Sequence, residues 1–184
     1  AKSIVVQREV GRDVPTFRQA LVECGQEDVT VIVVGETDEP GVLPAAVELA
    51  ALGRLVYVTM DAVTAVQAVE RITASFPPDA RGQAQARLAE CLVAVLCQRL
   101  LPRRDGGRVA AIEILTLTSA THALVRERRL PQLQSALQTS QQEGMISLDQ
   151  SLAALVKAGI VAPAQAMAEA VDAENLKLMT RGYG

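Results

Sequence analysis

Residues 29–36 (VTVIVVGE) constrain this chain more than any other stretch: a β-branched run that stops at Gly35 and a single carboxylate, Glu36. A run of that length closed by turn chemistry reads as a strand buried on both faces, the pattern of a central parallel strand. Glu36 then stands at the carboxyl end of that strand, where open α/β sheets keep their ligand sites. Residues 40–52 have helical composition and end at Gly53, a C-cap signal, and residues 55–60 (LVYVTM) form a second β-branched run that leads into another helix. Strand, helix, strand, helix implies a right-handed parallel crossover unit.

Two readings of Glu36 stand at this point. In P-loop NTPases the same strand end carries the acid that orients magnesium or the attacking water, which makes a nucleotide-driven motor the first functional class to consider. Alternatively, Glu36 is a carboxylate favoured by the macrodipole of the helix that follows.

The order and wording of the elements bear on that choice. The pieces are Gln7-Arg8-Glu9-Val10-Gly11-Arg12-Asp13, the VIVVGE strand, Gly53-Arg54-Leu55-Val56-Tyr57, a helix ending in Arg71-Ile72, and Phe76-Pro77-Pro78. Further on come Gln98-Arg99-Leu100-Leu101-Pro102-Arg103, the Ala111-Ile112-Glu113-Ile114-Leu115 strand, residues 120–127 and residues 144–155. Together they resemble the hexameric secretion and pilus ATPases, most closely the PilT-type pilus retraction (twitching-motility) ATPases. The match spreads over nearly the whole chain in the right order. It implies a RecA-like, mostly parallel α/β sheet with an antiparallel hairpin and a C-terminal helical subdomain, divided as 1–118 (partial ATPase core) and 119–184 (helical subdomain). It also implies ATP and magnesium as the cofactors of the intact family, a homo-hexamer acting on the type IV pilus inner-membrane machinery, and a cytoplasmic location.

The departures from that pattern are equally specific. A phosphate-cradling loop needs G-x-x-x-x-G-K-[ST], yet the lysines here are Lys2, Lys157 and Lys177; no glycine framework precedes Lys2-Ser3, and Ala158 and Leu178 follow the other two. By resemblance, the chain covers roughly the second half of a family member, downstream of its PAS-like domain, P-loop and Asp box. Thr30 stands where the Walker B strand of the family begins with an aspartate, and Glu36 keeps the closing acid. The family's following Met-Arg-Asp reads Thr37-Asp38-Glu39. Arg54 and Asp61 occupy the two histidine positions of the His box, while the single histidine, His122, lies in residues 120–127. A carboxylate in place of a neutral imidazole beside a triphosphate adds like-charge repulsion, and the lost arginine removes compensation for charge that develops in phosphoryl transfer. The chain alone is therefore expected neither to bind nucleotide nor to hydrolyse ATP, and Glu36 is its one candidate catalytic residue. Arg8, Arg12, Thr30, Arg54 and Asp61 are the candidate nucleotide-site residues, and no metal-ligating motif is present.

Composition fits a packed domain. The chain has 184 residues, 49% hydrophobic, with net charge −3, enough for one core, and no apolar tract of about eighteen residues that would span a bilayer. Its start (AKSIVVQREV) does not read as a targeting segment. Cys24, Cys91 and Cys97 are odd in number, lack C-x-x-C spacing and lie in apolar, helical context, so they read as small core residues of a reducing compartment. An aromatic content of 2% leaves few stacking platforms and the basic residues are scattered, which disfavours nucleic acid as a partner.

Elsewhere, residues 62–76 carry Val63, Val66, Val69, Ile72 and Phe76 at helical spacing, and Pro77-Pro78 stops that helix. A second helix is expected to bury Leu88, Cys91, Leu92, Val95 and Leu96. Residues 98–103 and 108–117 flank Asp105-Gly106-Gly107 as a hairpin expected to extend the sheet at one edge. Residues 119–184 read as helical: Ser147 with Gln150 forms a capping box, Gly159 closes that helix, Pro163 sits in a first turn and Asp172 caps the last helix. Residues 120–127 fall at the AIRNLIRE segment that the family associates with retraction, keeping Ala120, Leu124, Arg126 and Glu127. Among the arginines, Arg8 and Arg12 stand inside the matched QREVGRD segment, where a planar fork suits a neighbour's nucleotide across a ring joint. A second reading, a non-catalytic module that keeps fold and assembly surfaces, stays open beside the motor reading.

Overall fold

Val31–Val34 (β1) and Leu55–Val58 (β2) pair in parallel with Val31 opposite Leu55 and Val34 opposite Val58. The helix between them, Val42–Ala51 (α2), makes this the expected crossover unit, entered through Gly41 and left through Gly53, both at positive φ (87° and 89°). Phe17–Gln26 (α1) precedes β1. These strands and helices come from a computed structural model that describes residues 3–183, so Lys2 of the Lys2-Ser3 pair lies outside the described residues.

The chain divides into two compact units, residues 1–61 with 70–92 and residues 62–69 with 93–184. In the first, Leu21 of α1, Ile32 and Val34 of β1, and Val42 and Leu49 of α2 form the core. Burying each such side chain is worth about 1.5–3 kcal/mol, which is what holds so short a sheet. The strand burial corrects one expectation. Only alternate residues of β1 are buried; Val31 and Val33 face outward with Leu55 and Tyr57 of β2. In place of a strand buried on both faces, this chain has one packed and one uncovered apolar face.

Ala65–Ala74 (α3) is shorter than the expected helix and buries Ala65, Ala68 and Val69, while Val63 precedes it and is exposed. Arg81–Cys91 (α4) buries Ala84, Gln85, Leu88 and Ala89. The expected continuation of its stripe to Leu96 fails, because β-branched Val93 and Val95 already belong to extended chain: Ala94–Pro102 is a strand (β3).

That strand pairs antiparallel with Arg108–Thr116 (β4) around the expected turn, in register from Ala94 opposite Thr116 to Pro102 opposite Arg108. The hairpin does not extend the parallel sheet. It is a separate two-stranded sheet among the described residues, and β4 instead meets the chain that follows, through paired Ile114 and Ile146 amides (2.9 and 3.1 Å).

Ser119–Arg126 (α5), Leu130–Thr139 (α6), Leu148–Lys157 (α7), Pro163–Glu169 (α8) and Ala173–Met179 (α9) complete the second unit with a 3-10 turn at Gln141–Glu143. Leu101 and Ala111 of the hairpin share a core with Leu148 and Leu152 of α7, Ala166 of α8 and Leu176 of α9. The compact units thus run across residue 118. The capping box of Ser147 with Gln150, the positive φ of Gly159 (70°), Pro163 at the first turn of α8 and Asp172 accepting from the Asn175 amide (3.0 Å) all stand as the sequence indicates. All three cysteines are free; Cys97 is buried but lies on β3, outside any helix.

Candidate functional site

Parallel pairing aims the carboxyl ends of β1 and β2 the same way, and the loops that leave them line a groove of about 470 Å³. Residues 36–41 come from the first loop, Met60 and Asp61 from the second, Arg71 and Ala74 from α3 and Ser75 from the turn after it. Two residues expected at the site, Glu36 and Asp61, are therefore brought together. Among the described residues, Glu36 has neither a hydrogen-bond nor an ion-pair partner and is exposed.

The groove has one cation, Arg71, which the sequence had offered only as part of a matching helix end. Its Nη2 lies 3.2 Å from Asp38 Oδ1 and its Nη1 3.8 Å from Asp61 Oδ2; Nη1 also donates to the Asp61 carbonyl. Arg71 thus ties the loop after β1 to the loop after β2. Four carboxylates, Glu36, Asp38, Glu39 and Asp61, line the groove with this one guanidinium, so the groove stays electronegative.

Glu39 has a different assignment. Its two oxygens accept the Phe17 and Arg18 amides (2.9 and 3.0 Å), and Thr16 accepts that of Gln19 (3.0 Å), so the first-turn donors of α1 are met largely from the loop after β1. The signal for this was an acid followed by Pro40-Gly41, but nothing in the sequence identifies α1 as its partner.

The other expected residues lie elsewhere. Thr30 immediately precedes β1, and its carbonyl accepts the Leu55 amide (3.0 Å). Six residues of chain, a fully extended reach of at most roughly 20 Å, separate it from Glu36 at the other end of the strand. Arg54 immediately precedes β2 and donates from Nη2 to the carbonyls of Gly25 (3.0 Å) and Glu27 (3.3 Å), closing the C-terminal end of α1, while its buried Nε has no hydrogen-bond partner among the described residues. Arg8 is held by Glu23 and Glu27 (3.0 and 2.6 Å), with hydrogen bonding to Glu27 foremost in raising its pKa. Arg12, at a Gly11 turn, has an exposed guanidinium with only loose pairs to Glu9 and Asp13 (3.8 and 3.9 Å). No cluster of three or more His, Cys, Asp or Glu among the described residues is placed to hold a metal.

Comparison with known proteins decides the family. No family model matches the chain. A twitching motility protein of Neisseria gonorrhoeae is 39% identical over 176 residues, 95% of this chain and 47% of the relative. The type IV pilus retraction ATPase PilT of Pseudomonas aeruginosa is 36% identical over 174 residues, 95% of this chain and 51% of its own length. The crystal structure of the pilus retraction motor PilT with bound ADP superposes with a TM-score of 0.88 at 36% identity, over 96% of this chain and 50% of that one. The chain belongs to the PilT-like ATPases.

The Legionella pneumophila ATPase DotB, at 23% identity and a TM-score of 0.78, shares the fold. This PilT-like chain spans about half the length of the curated relatives it matches. In its groove Glu36 stands at the strand end with Asp38 and Asp61, the two acids that Arg71 holds. Among the described residues no helix is long and apolar enough to cross a membrane.

Proposed function

We propose that this chain is the C-terminal portion of the motor domain of a PilT-like hexameric ATPase that drives type IV pilus retraction, and that by itself it does not hydrolyse ATP. The observation that carries the reading is Glu36, without a hydrogen-bond or ion-pair partner among the described residues, in the strand-end groove that Asp61 also lines. The uncovered apolar face of β1 and β2 supports it as well, since a sheet that packs against further chain carries such a face and the relatives hold about as much chain again. In the assembled motor Glu36 would orient magnesium or the attacking water with Asp61 beside it, Thr30 and Arg54 would occupy family positions at the opposite ends of the two strands, and Arg8 and Arg12 would reach towards a neighbour's nucleotide. Of these two, Arg12 has the exposed guanidinium. The machine works from the cytoplasmic side on the pilus inner-membrane assembly, with neither membrane insertion nor nucleic acid in its cycle.

The groups present do not fit a triphosphate unaided. Carboxylates outnumber the one cation, and that cation is already bridged to two of them. No step of hydrolysis follows from these residues alone. Calorimetry of this chain with magnesium-ATP should register no binding, and a measurable affinity would refute that part of the reading. In a longer polypeptide that includes a P-loop, Glu36→Gln should abolish hydrolysis and leave ATP binding; unchanged turnover would exclude the assigned role.

The Asp38–Arg71–Asp61 bridge favours one alternative, a non-catalytic PilT-like paralogue that serves as an assembly module. Turnover in the longer polypeptide decides for the motor. Ring assembly without turnover decides for the module.

A further inference from the structure

Residues 35–41 join β1 to α2 between two buried valines, Val34 and Val42, and carry Glu36 and Asp38 to the groove. Exposure alternates along them: Glu36 and Asp38 are exposed, Thr37 and Glu39 half-buried. The half-buried pair is where the loop is fastened. Glu39 accepts the Phe17 amide on Oε2 and the Arg18 amide on Oε1, and its own amide donates to Thr37 Oγ1 (3.1 Å). The Arg18 stem lies over the far end of the loop, its Cδ 3.5 Å from where a Cβ on Gly41 would stand. Every residue concerned belongs to the first compact unit.

Which partner is held follows from what else holds each. The helix α1 is seated by Leu21 in the core with Ile32, Val34, Val42 and Leu49, and Thr16 caps its Gln19 amide without help from the loop. The loop has a weaker second tie: Asp38 meets Arg71 Nη2 at 3.2 Å, but its side chain is almost fully exposed, and exposed ion pairs contribute little. Hydrogen bonds from amides to a carboxylate are the stronger kind. The two bonds from Glu39 therefore act on the loop more than on the helix.

We propose that Glu39 is a positioning residue for Glu36: by fastening the loop after β1 to the seated first turn of α1, it holds the strand-end acid and Asp38 at the groove. What Glu36 does rests on the motor reading above, whereas how it is held rests on this geometry alone, so the two arms of the test fail separately.

The first arm uses the isotope-labelled chain and follows two groove groups outside the loop, the Met60 methyl and the Arg71 Nε–H, with Asp38→Asn marking an Arg71 signal released from the loop. Glu39→Gln keeps one acceptor oxygen and turns an NH2 towards the other amide, so both signals should move, that of Arg71 towards the Asp38→Asn position. Glu39→Asp, which keeps the charge and shortens the reach, should move them part of the way and carries this arm if Glu39→Gln does not fold. The control is Thr16→Ala, which uncaps α1 from its own side and should leave both signals in place. Unmoved signals in the folded Glu39 variants, or an equal shift in Thr16→Ala, overturn the proposal, because Glu39 is then a helix cap alone. The second arm uses a longer polypeptide that includes a P-loop, where Glu39→Gln should lower kcat by about tenfold or more at an unchanged KM for ATP, in line with the cost of a small misplacement at a reacting centre. An unchanged kcat beside shifted signals overturns the role at Glu36. Should the wild-type polypeptide show no turnover, the motor reading falls and the first arm alone decides how the acid is held.

Discussion

Val33 and Val34 are neighbours on one strand with the same side chain and opposite surroundings: Val33 is 74% exposed, Val34 4%. Changing each in turn to threonine swaps one methyl for a hydroxyl and keeps the β-branch, so strand propensity nearly cancels. At Val34, packed among Leu21, Ile32 and Val42, the change forfeits roughly 0.8 kcal/mol of methyl burial. It also places a hydroxyl without a partner in the core at about 1–3 kcal/mol, for a loss of about 2–4 kcal/mol in all. At Val33 the same change should stay within about 0.5 kcal/mol. Urea unfolding at an unchanged m-value measures both. Equal losses at the two positions would refute one-sided burial of β1. Under the motor reading the contrast shrinks in a longer polypeptide, because Val33→Thr becomes costly once further chain covers its face.

Three other outcomes follow from particular contacts. Burial, aided by the Glu113 charge, pushes the Cys97 thiol up to about 11 from an ordinary 9; the folded state therefore holds its proton longer than the unfolded chain, and stability present below pH 9 falls by less than about 3 kcal/mol as pH rises through 11, a loss that Cys97→Ala should remove from a pH series of urea midpoints. Asp149, itself buried, accepts the Val171 and Asp172 amides (2.8 and 3.0 Å), so Asp149→Asn turns an NH2 towards one of them and should cost about 1–3 kcal/mol in the same assay, with a loss under about 0.5 kcal/mol contradicting the assignment. Arg128 sits at φ 59°, and the Arg128 and Arg129 amides close α5 on the carbonyls of Val125 (3.3 Å) and Leu124 (2.9 Å); Arg128→Gly should raise the melting temperature by the equivalent of about 0.5–1 kcal/mol, and a lower melting temperature would count against strain at that residue.

Local chemistry made much of the fold legible. Gly53, Gly159, the Ser147–Gln150 box, Pro163 and the Asp105-Gly106-Gly107 turn each act through their own backbone, so reading along the chain located them. What escaped depends on partners distant in sequence. β1 has the composition of a strand with two covered faces, but a sequence does not show what covers the second one. Val95 and Leu96 continue the apolar spacing of α4 and yet belong to β3, because a short apolar run fits a helix face and a strand face equally. Within the site, Glu36 and Asp61 were found because each ends a hydrophobic run. Arg71 was passed over since its two acids arrive from different loops, and Arg54, read as a nucleotide residue, lies against the α1 carbonyls.

The clamp made by Glu39 limits how the groove can respond to an occupant. Both of its oxygens are spent on the opening turn of α1, so the loop after β1 cannot swing alone without uncapping that helix. Any closure has to carry loop and helix as one body, and Arg8, gripped by Glu23 and Glu27, travels with it. Displacing the loop after β1 therefore means displacing the opening turn of α1 as well.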